Sequence, residues 1–178
     1  IQTVFTKLVG FSNFGFPKAH SAAFAVLAYQ SAWLRRHHPA EFLAALINAQ
    51  PMGFYPPASL VRDAGRRGVR TLRTCIRRSQ VGCTVEDGSV RLGLGMVRTL
   101  GEIPAHRVVD EREARGHFTG LADLIARTGL RPEQMAMMAR AGTLDAFEVP
   151  EREMLWQVAT LARPRRIAGA EQLPLPLD

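Results

Sequence analysis

A chain of 178 residues, 47% of them hydrophobic, is long enough to bury a real core as one medium domain or two small ones. Its two cysteines, Cys75 and Cys83, form neither a CxxC pair nor a disulfide framework, which fits a cytoplasmic protein with reduced thiols. The net charge of +7 is unevenly spread: residues 1–80 hold eleven Lys/Arg against two Asp/Glu, and residues 81–178 hold twelve against fourteen. One half thus carries a cationic field that suits a polyanion, either nucleic acid or a nucleotide triphosphate.

In chain order, a first helix is predicted from about Ala19 to Arg36, with Pro17 ahead of it and Phe24, Leu27, Ser31 and Leu34 at helical spacing. His20, Ser21, Tyr29, Gln30 and Ser31 interrupt its apolar run, so it is no membrane span. Pro39 opens a second helix over 40–49, with Glu41 in the first turn where the dipole favours an anion. Pro57 opens a third over 58–67, and Gly68 supplies its stop. The period then changes. Val81 to Val85 and Ser89 to Leu92 flank Asp87-Gly88, a two-residue hairpin signal, with Val69 to Ile76 as a candidate third strand. A glycine-punctuated stretch over 92–113 leads into a helix. Residues 118–147 then hold two short helices around Thr128-Gly129-Leu130, the second started by Pro132 and ended by Gly142. The two stretches form a weak internal repeat of helix, glycine turn, helix. Pro150 opens a last helix, and "PRRIAGAEQLPLPLD" reads as a linker or tail.

Five features carry candidate chemistry. Lys18 and His20 fall in the first turn of a helix, where free N–H groups and the dipole favour an anion; by spacing alone they are equally a solvated lysine and a capping histidine. Arg35, Arg36, His37 and His38 close the same helix, where cations are favourable anyway, and no further ligand is spaced to make the His pair a metal site. "RDAGRRGVRTLRTCIRR", residues 62–78, holds seven arginines and is either a solvated face or a surface for backbone phosphate. The turns Thr99-Leu100-Gly101 and Thr128-Gly129-Leu130 each keep one glycine of the Gly-apolar-Gly pattern by which a helix-hairpin-helix element brings backbone N–H groups to a DNA phosphate. At the end, Gln172, Leu173, Leu175 and Leu177 make an extended, proline-stiffened peptide, either a groove-docking segment or a plain linker. No carboxylate cluster, Ser–His–Asp spacing or Walker lysine loop is present.

The run "NFGFPKAHSAAFAVLAYQSAWLRRHHPAEFLAALINAQPMGFYPPASLVRDAGRRGV" resembles the fingers region of bacterial C-family DNA polymerases, the polymerase III alpha subunits. "NAQPMGFYPPASLVRDA" is closer to their error-prone, ImuC-type branch, and "VRLGLGMVRTLGE" with "GHFTGLADLIARTGL" and "MARAGTLDAF" resembles the tandem helix-hairpin-helix segment that follows. The resemblance implies a mainly α chain: helical fingers over 1–68, a short β-ribbon connector over 69–92, a tandem helix-hairpin-helix DNA-binding domain over 93–147, and an exit helix with an extended C-terminal tail over 148–178. It implies a carboxy-terminal fragment of an error-prone, translesion-type polymerase that transfers a nucleotidyl group from dNTP to a primer 3′-hydroxyl. The palm carboxylates and their Mg²⁺ lie outside these residues, which supply no catalytic residue and no metal ligand and are inactive alone.

By the same resemblance Lys18 and His20, and more loosely Lys7, face the nucleotide triphosphate. Arg98, Leu100, Gly101 and Arg107, with Gly129, hold duplex DNA. Gln172, Leu173, Leu175 and Leu177 match a sliding-clamp peptide. The implied partners are primer-template DNA, dNTP, the clamp and accessory mutasome proteins, with no membrane. The alternatives are a non-catalytic DNA-binding and clamp-tethering module, or part of a replicative alpha subunit. Two departures stand out: Cys75-Ile76-Arg77-Arg78-Ser79 replaces the family's Asp-Val-Asn-x-Ser, and Thr99 stands where the first hairpin begins with Gly. A β-branched residue disfavours positive φ, so that hairpin is expected to meet phosphate poorly.

Overall fold

A computed structural model describes residues 2–12, 18–52 and 54–161 of the chain. The fold is mainly helical, with one small sheet. Its helices are α1 (Gln2–Ser12), α2 (Lys18–His37), α3 (Pro39–Asn48), α4 (Pro57–Gly65), α5 (Glu102–Arg115), α6 (Leu121–Thr128), α7 (Pro132–Arg140) and α8 (Glu151–Leu161). Prolines 39, 57 and 132 stand at the first position of their helices, where the fixed φ helps and no N–H is missed. The sequence reading did not include α1, which no proline or cap residue announces.

The strands are β1 (Thr71–Leu72), β2 (Thr84–Glu86) and β3 (Ser89–Arg91), in the order β1-β3-β2. Asp87 and Gly88 take φ of 48° and 71°, the left-handed pair that a tight hairpin needs, and set Val85 opposite Val90. β1 joins parallel to β3, pairing Thr71 with Val90 and Leu72 with Arg91.

Two apolar clusters hold the described residues together. In one, Leu43, Ala44 and Ile47 of α3 meet Ala64 of α4 and Val69, Cys83 and Val90 around the sheet. Asn48 at the end of α3 stitches this cluster: its amide donates to the Cys83 carbonyl at 2.9 Å and accepts the Cys83 N–H at 2.7 Å. Burial pushes the Cys83 thiol above its ordinary pKa. The other cluster contains Leu94, Leu100, Val108, Leu124, Leu130 and Met138, closed by Met154 and Val158 of α8. Fully burying each such side chain contributes about 1.5–3 kcal/mol, so this cluster fixes the turns between α5, α6 and α7.

The segment after β1 links the clusters. Thr74 and Thr143 share a hydroxyl–hydroxyl bond of 2.6 Å, and the Ile76 N–H donates to the Thr143 carbonyl at 2.8 Å. Beneath it lies Arg112, a buried guanidinium that donates to the carbonyls of Ile76 and Ser79 at 3.0 and 2.7 Å. Two carbonyl acceptors satisfy a charge that would otherwise be costly to bury.

By contrast, α2 has no buried residue. Phe24, Leu27, Tyr29, Trp33 and Leu34 are 44–71% exposed. Among the described residues α2 meets α3, and its apolar side chains stay open. Its C-terminal end is tied down by the Arg35–Asp63 ion pair at 2.6 Å.

Candidate nucleic-acid interface

Two turns at the second cluster lie beside one another, joined by one side chain. In the first, a 3₁₀ turn at Leu94–Met96 leads through Thr99-Leu100-Gly101 into α5; in the second, α6 leads through Gly129-Leu130-Arg131 into α7. Thr99 and Gly129 both take left-handed φ, 68° and 61°. Leu100 and Leu130 are both buried, and Gly101 and Arg131 are the N-caps of the helices that follow. The repeat therefore aligns Thr99 with Gly129, one residue away from the match of the two Thr-containing triplets suggested by the sequence. Each turn keeps a different glycine of the Gly-apolar-Gly pattern.

Thr99 adopts the positive φ that its branched side chain disfavours. Leu100, 1% exposed, anchors the turn from below, and Gln134 holds it from the side. The Gln134 side chain is 4% exposed, and it bridges both turns. Its Oε1 accepts the Arg131 N–H at 2.9 Å, while its Nε2 donates to the carbonyls of Leu100 at 3.0 Å and Thr99 at 3.4 Å. In return, Arg107 of α5 reaches the other turn, donating from Nη1 to the Thr128 carbonyl at 2.9 Å. Each helix after a turn thus grips the opposite turn.

The two turns differ as anion cradles. At α5 the N-cap is glycine, with no side chain to cap the first-turn N–H groups. Pro104 has no N–H and the Ala105 N–H goes to the Gly101 carbonyl at 3.2 Å, so the N–H groups of Glu102 and Ile103, at the positive dipole end, are the ones available to an anion. At α7, Pro132 has no N–H and the Arg131 N–H is taken by Gln134. The first turn therefore offers the better backbone cradle. Glu102, at the first position of α5, also lies near it, 3.9 Å from His106.

The residues singled out from the sequence fall as follows. Arg98 is exposed beside the first turn, and Gly101 is exposed at its helix entrance. Leu100 faces the core, and both of its backbone groups are taken: the N–H donates to the Val97 carbonyl and the carbonyl accepts from Gln134. Arg107 caps α6, and Gly129 is the left-handed C-cap of that helix. Lys18 and His20 are exposed in the first turn of α2, with the His20 ring 4.4 Å from that of Phe24; Lys7 is exposed on α1. Gln172, Leu173, Leu175 and Leu177 lie outside the described residues. The sequence reading missed Gln134; its one signal was a glutamine three residues after a helix entrance.

Among the described residues no group of three or more His, Cys, Asp or Glu is placed to hold a metal ion. Asp63, one of two acids in residues 1–80, is engaged by Arg35 at 2.6 Å and Arg67 at 3.4 Å. No helix among the described residues is long and apolar enough to cross a membrane.

Residues 68–154, which include both turns, match the family model described as the helix-hairpin-helix motif. The error-prone DNA polymerase of Mycobacterium bovis is 47% identical over 173 residues, 95% of this chain and 16% of that protein. The error-prone DNA polymerase of Corynebacterium efficiens is 43% identical over 175 residues, covering 97% of this chain and 16% of that protein. That of Burkholderia pseudomallei is 42% identical over 179 residues, covering 95% and 17%. The chain thus spans about one-sixth of the length of the curated relatives it matches. The likeness to error-prone DNA polymerases, first visible around Pro17-Lys18-Ala19-His20, runs along nearly the whole chain and includes its helix-hairpin-helix motif.

Proposed function

We propose that these residues are the nucleotide- and DNA-gripping portion of an error-prone DNA polymerase. The observation that carries this is the 47% identity over 173 residues to a protein of that name. In the reaction, a primer 3′-hydroxyl attacks the α-phosphate of a dNTP and pyrophosphate leaves. The palm carboxylates that bind Mg²⁺ belong elsewhere in the longer chain. Here the contribution is positioning and charge: Lys18 and His20, with Lys7 more loosely, neutralise and orient the triphosphate. The open N-terminus of α5, with Gly101 and Arg98, takes a phosphate of the duplex, while Leu100, Gly129 and Arg107 hold the turns that present it.

Two further parts belong to this proposal. The uncovered apolar side of α2 rests on another part of the longer polymerase, and Gln172, Leu173, Leu175 and Leu177 engage the sliding clamp. Loss of clamp pull-down on replacing Gln172 and Leu175 with alanine checks the latter; no clamp binding by the unmodified chain refutes it.

The second reading, a DNA-binding module without a polymerase role, draws on the family model, which covers only residues 68–154. Titration of the chain with dNTP and Mg²⁺ separates the two. Saturable binding that is lost in Lys18→Ala supports the polymerase role. Duplex binding alone, untouched by that change, supports the module.

A further inference from the structure

The arginine-rich stretch over 62–78 has no part in the proposal so far. Its seven arginines are all exposed. The one acid among them, Asp63, is taken by Arg35 and Arg67. The acid across the sheet, Glu86, is held by two N–H groups of Arg91 at 2.9 Å each, with Arg78 only at 3.8 Å. Arg62, Arg66, Arg70, Arg73 and Arg77 therefore have no ion-pair partner among the described residues, and Arg66, Arg70 and Arg77 sample the stretch from the end of α4 to the turn after β1. So many unneutralised guanidinium groups on one short segment repel one another, and an external polyanion relieves this.

The backbone that carries them is fixed. The Arg70 carbonyl accepts the Val90 N–H at 2.9 Å, and the Arg73 carbonyl accepts Arg91 Nη1 at 2.8 Å. Ile76 is pinned to Thr143, and buried Arg112 holds both ends of the turn that displays Arg77 and Arg78. Ordering this surface on binding costs only side-chain entropy. Guanidinium forks match phosphate oxygens bidentately. No Phe, Trp or Tyr occurs between Tyr55 and Phe118, so the arginine-rich stretch itself carries no aromatic ring on which unpaired bases could stack. Its chemistry fits the sugar-phosphate backbone of a duplex.

We infer that Arg66, Arg70 and Arg77 form part of a second phosphate-binding surface that contacts duplex DNA independently of the two hairpin turns. This rests on the DNA-binding role proposed above. The test is fluorescence-anisotropy titration of the whole chain with a duplex oligonucleotide across a range of salt. Each lost phosphate contact lowers the slope of log K against log salt by about 0.9, so replacing the three arginines with glutamine lowers it by about 2–3. Replacing all three with lysine keeps most of the slope, and circular dichroism of both variants stays that of the unmodified chain. Gly101→Asp, which puts a carboxylate into the α5 cradle, serves as the separate hairpin probe.

An unchanged slope in the glutamine variant, with binding weakened in Gly101→Asp, overturns the second surface and leaves hairpin binding intact. A glutamine variant that loses single-stranded but not duplex binding also overturns it. No salt-dependent duplex binding by the unmodified chain removes both proposals together.

Discussion

Gln134→Ala probes the link between the two turns most sharply. The side chain is buried and makes three hydrogen bonds: it accepts the Arg131 N–H and donates to the Leu100 and Thr99 carbonyls. Alanine leaves the Leu100 carbonyl buried without its side-chain donor, at about 1–3 kcal/mol, while the Arg131 N–H, at an exposed residue, recovers water. Loss of the bond back to the α7 N-cap adds about 0.5–1 kcal/mol. The sum is about 1.5–4 kcal/mol, read by denaturant unfolding followed at the helical circular dichroism band, with the midpoint lowered and the slope unchanged. Gln134→Glu keeps an acceptor for Arg131 but sets a carboxylate against the Leu100 and Thr99 carbonyls, so it should cost as much or more. Duplex affinity should fall with stability, since the first turn loses its lateral support. A cost below about 0.5 kcal/mol in both variants would refute the bridging role.

Other predictions concern the backbone and one carboxylate. Thr99→Gly relieves about 1–2 kcal/mol of left-handed strain and gives back about 0.5–1 kcal/mol to the unfolded chain, so thermal unfolding should show a net gain of about 0.5–1 kcal/mol; destabilisation would contradict the assigned turn. Gly93→Ala drives a Cβ to 2.3 Å from the Val81 carbonyl oxygen and 2.4 Å from the Gly82 carbonyl carbon, fixed backbone atoms, and should cost about 3 kcal/mol or abolish folding. Gly65→Ala, where nothing lies within 4 Å, is its neutral-to-stabilising control.

The hydrogen bond from Arg91 holds the Glu86 carboxyl below its ordinary value of 4.5. A carboxylate depressed in the folded state stabilises above its unfolded pKa and loses that stabilisation as pH falls through the folded value. Acid titration of stability should therefore steepen below about pH 4.5, and Glu86→Gln should flatten that limb.

Punctuation made much of the fold legible. Prolines 39, 57 and 132 and Gly142 bound helices where they were expected, and Asp87-Gly88 forms the hairpin turn; α4 instead ends at Gly65, short of the expected stop at Gly68. The register of the repeat was harder, because glycine content drew attention to the triplets themselves. Counting back from the helix starts, Glu102 and Pro132, gives the observed alignment of Thr99 with Gly129. Arg112, and the bridging half of Gln134's role, were invisible because the partners are backbone carbonyls more than 30 residues away, which no local pattern encodes; only Gln134's bond to the Arg131 N–H is local. The solvent-facing state of α2 was equally hidden: its apolar spacing reads as a core helix, and spacing cannot say whether the surface it fits lies within the same stretch of chain.

If this segment grips the nucleotide for a polymerase, steady-state primer extension by the longer polymerase carrying it will show the loss of that grip. Lys18→Ala should raise the KM for dNTP at least about tenfold, equivalent to about 1.4 kcal/mol of lost triphosphate contact, with primer-template affinity unchanged. Unchanged KM and kcat in that variant would contradict it.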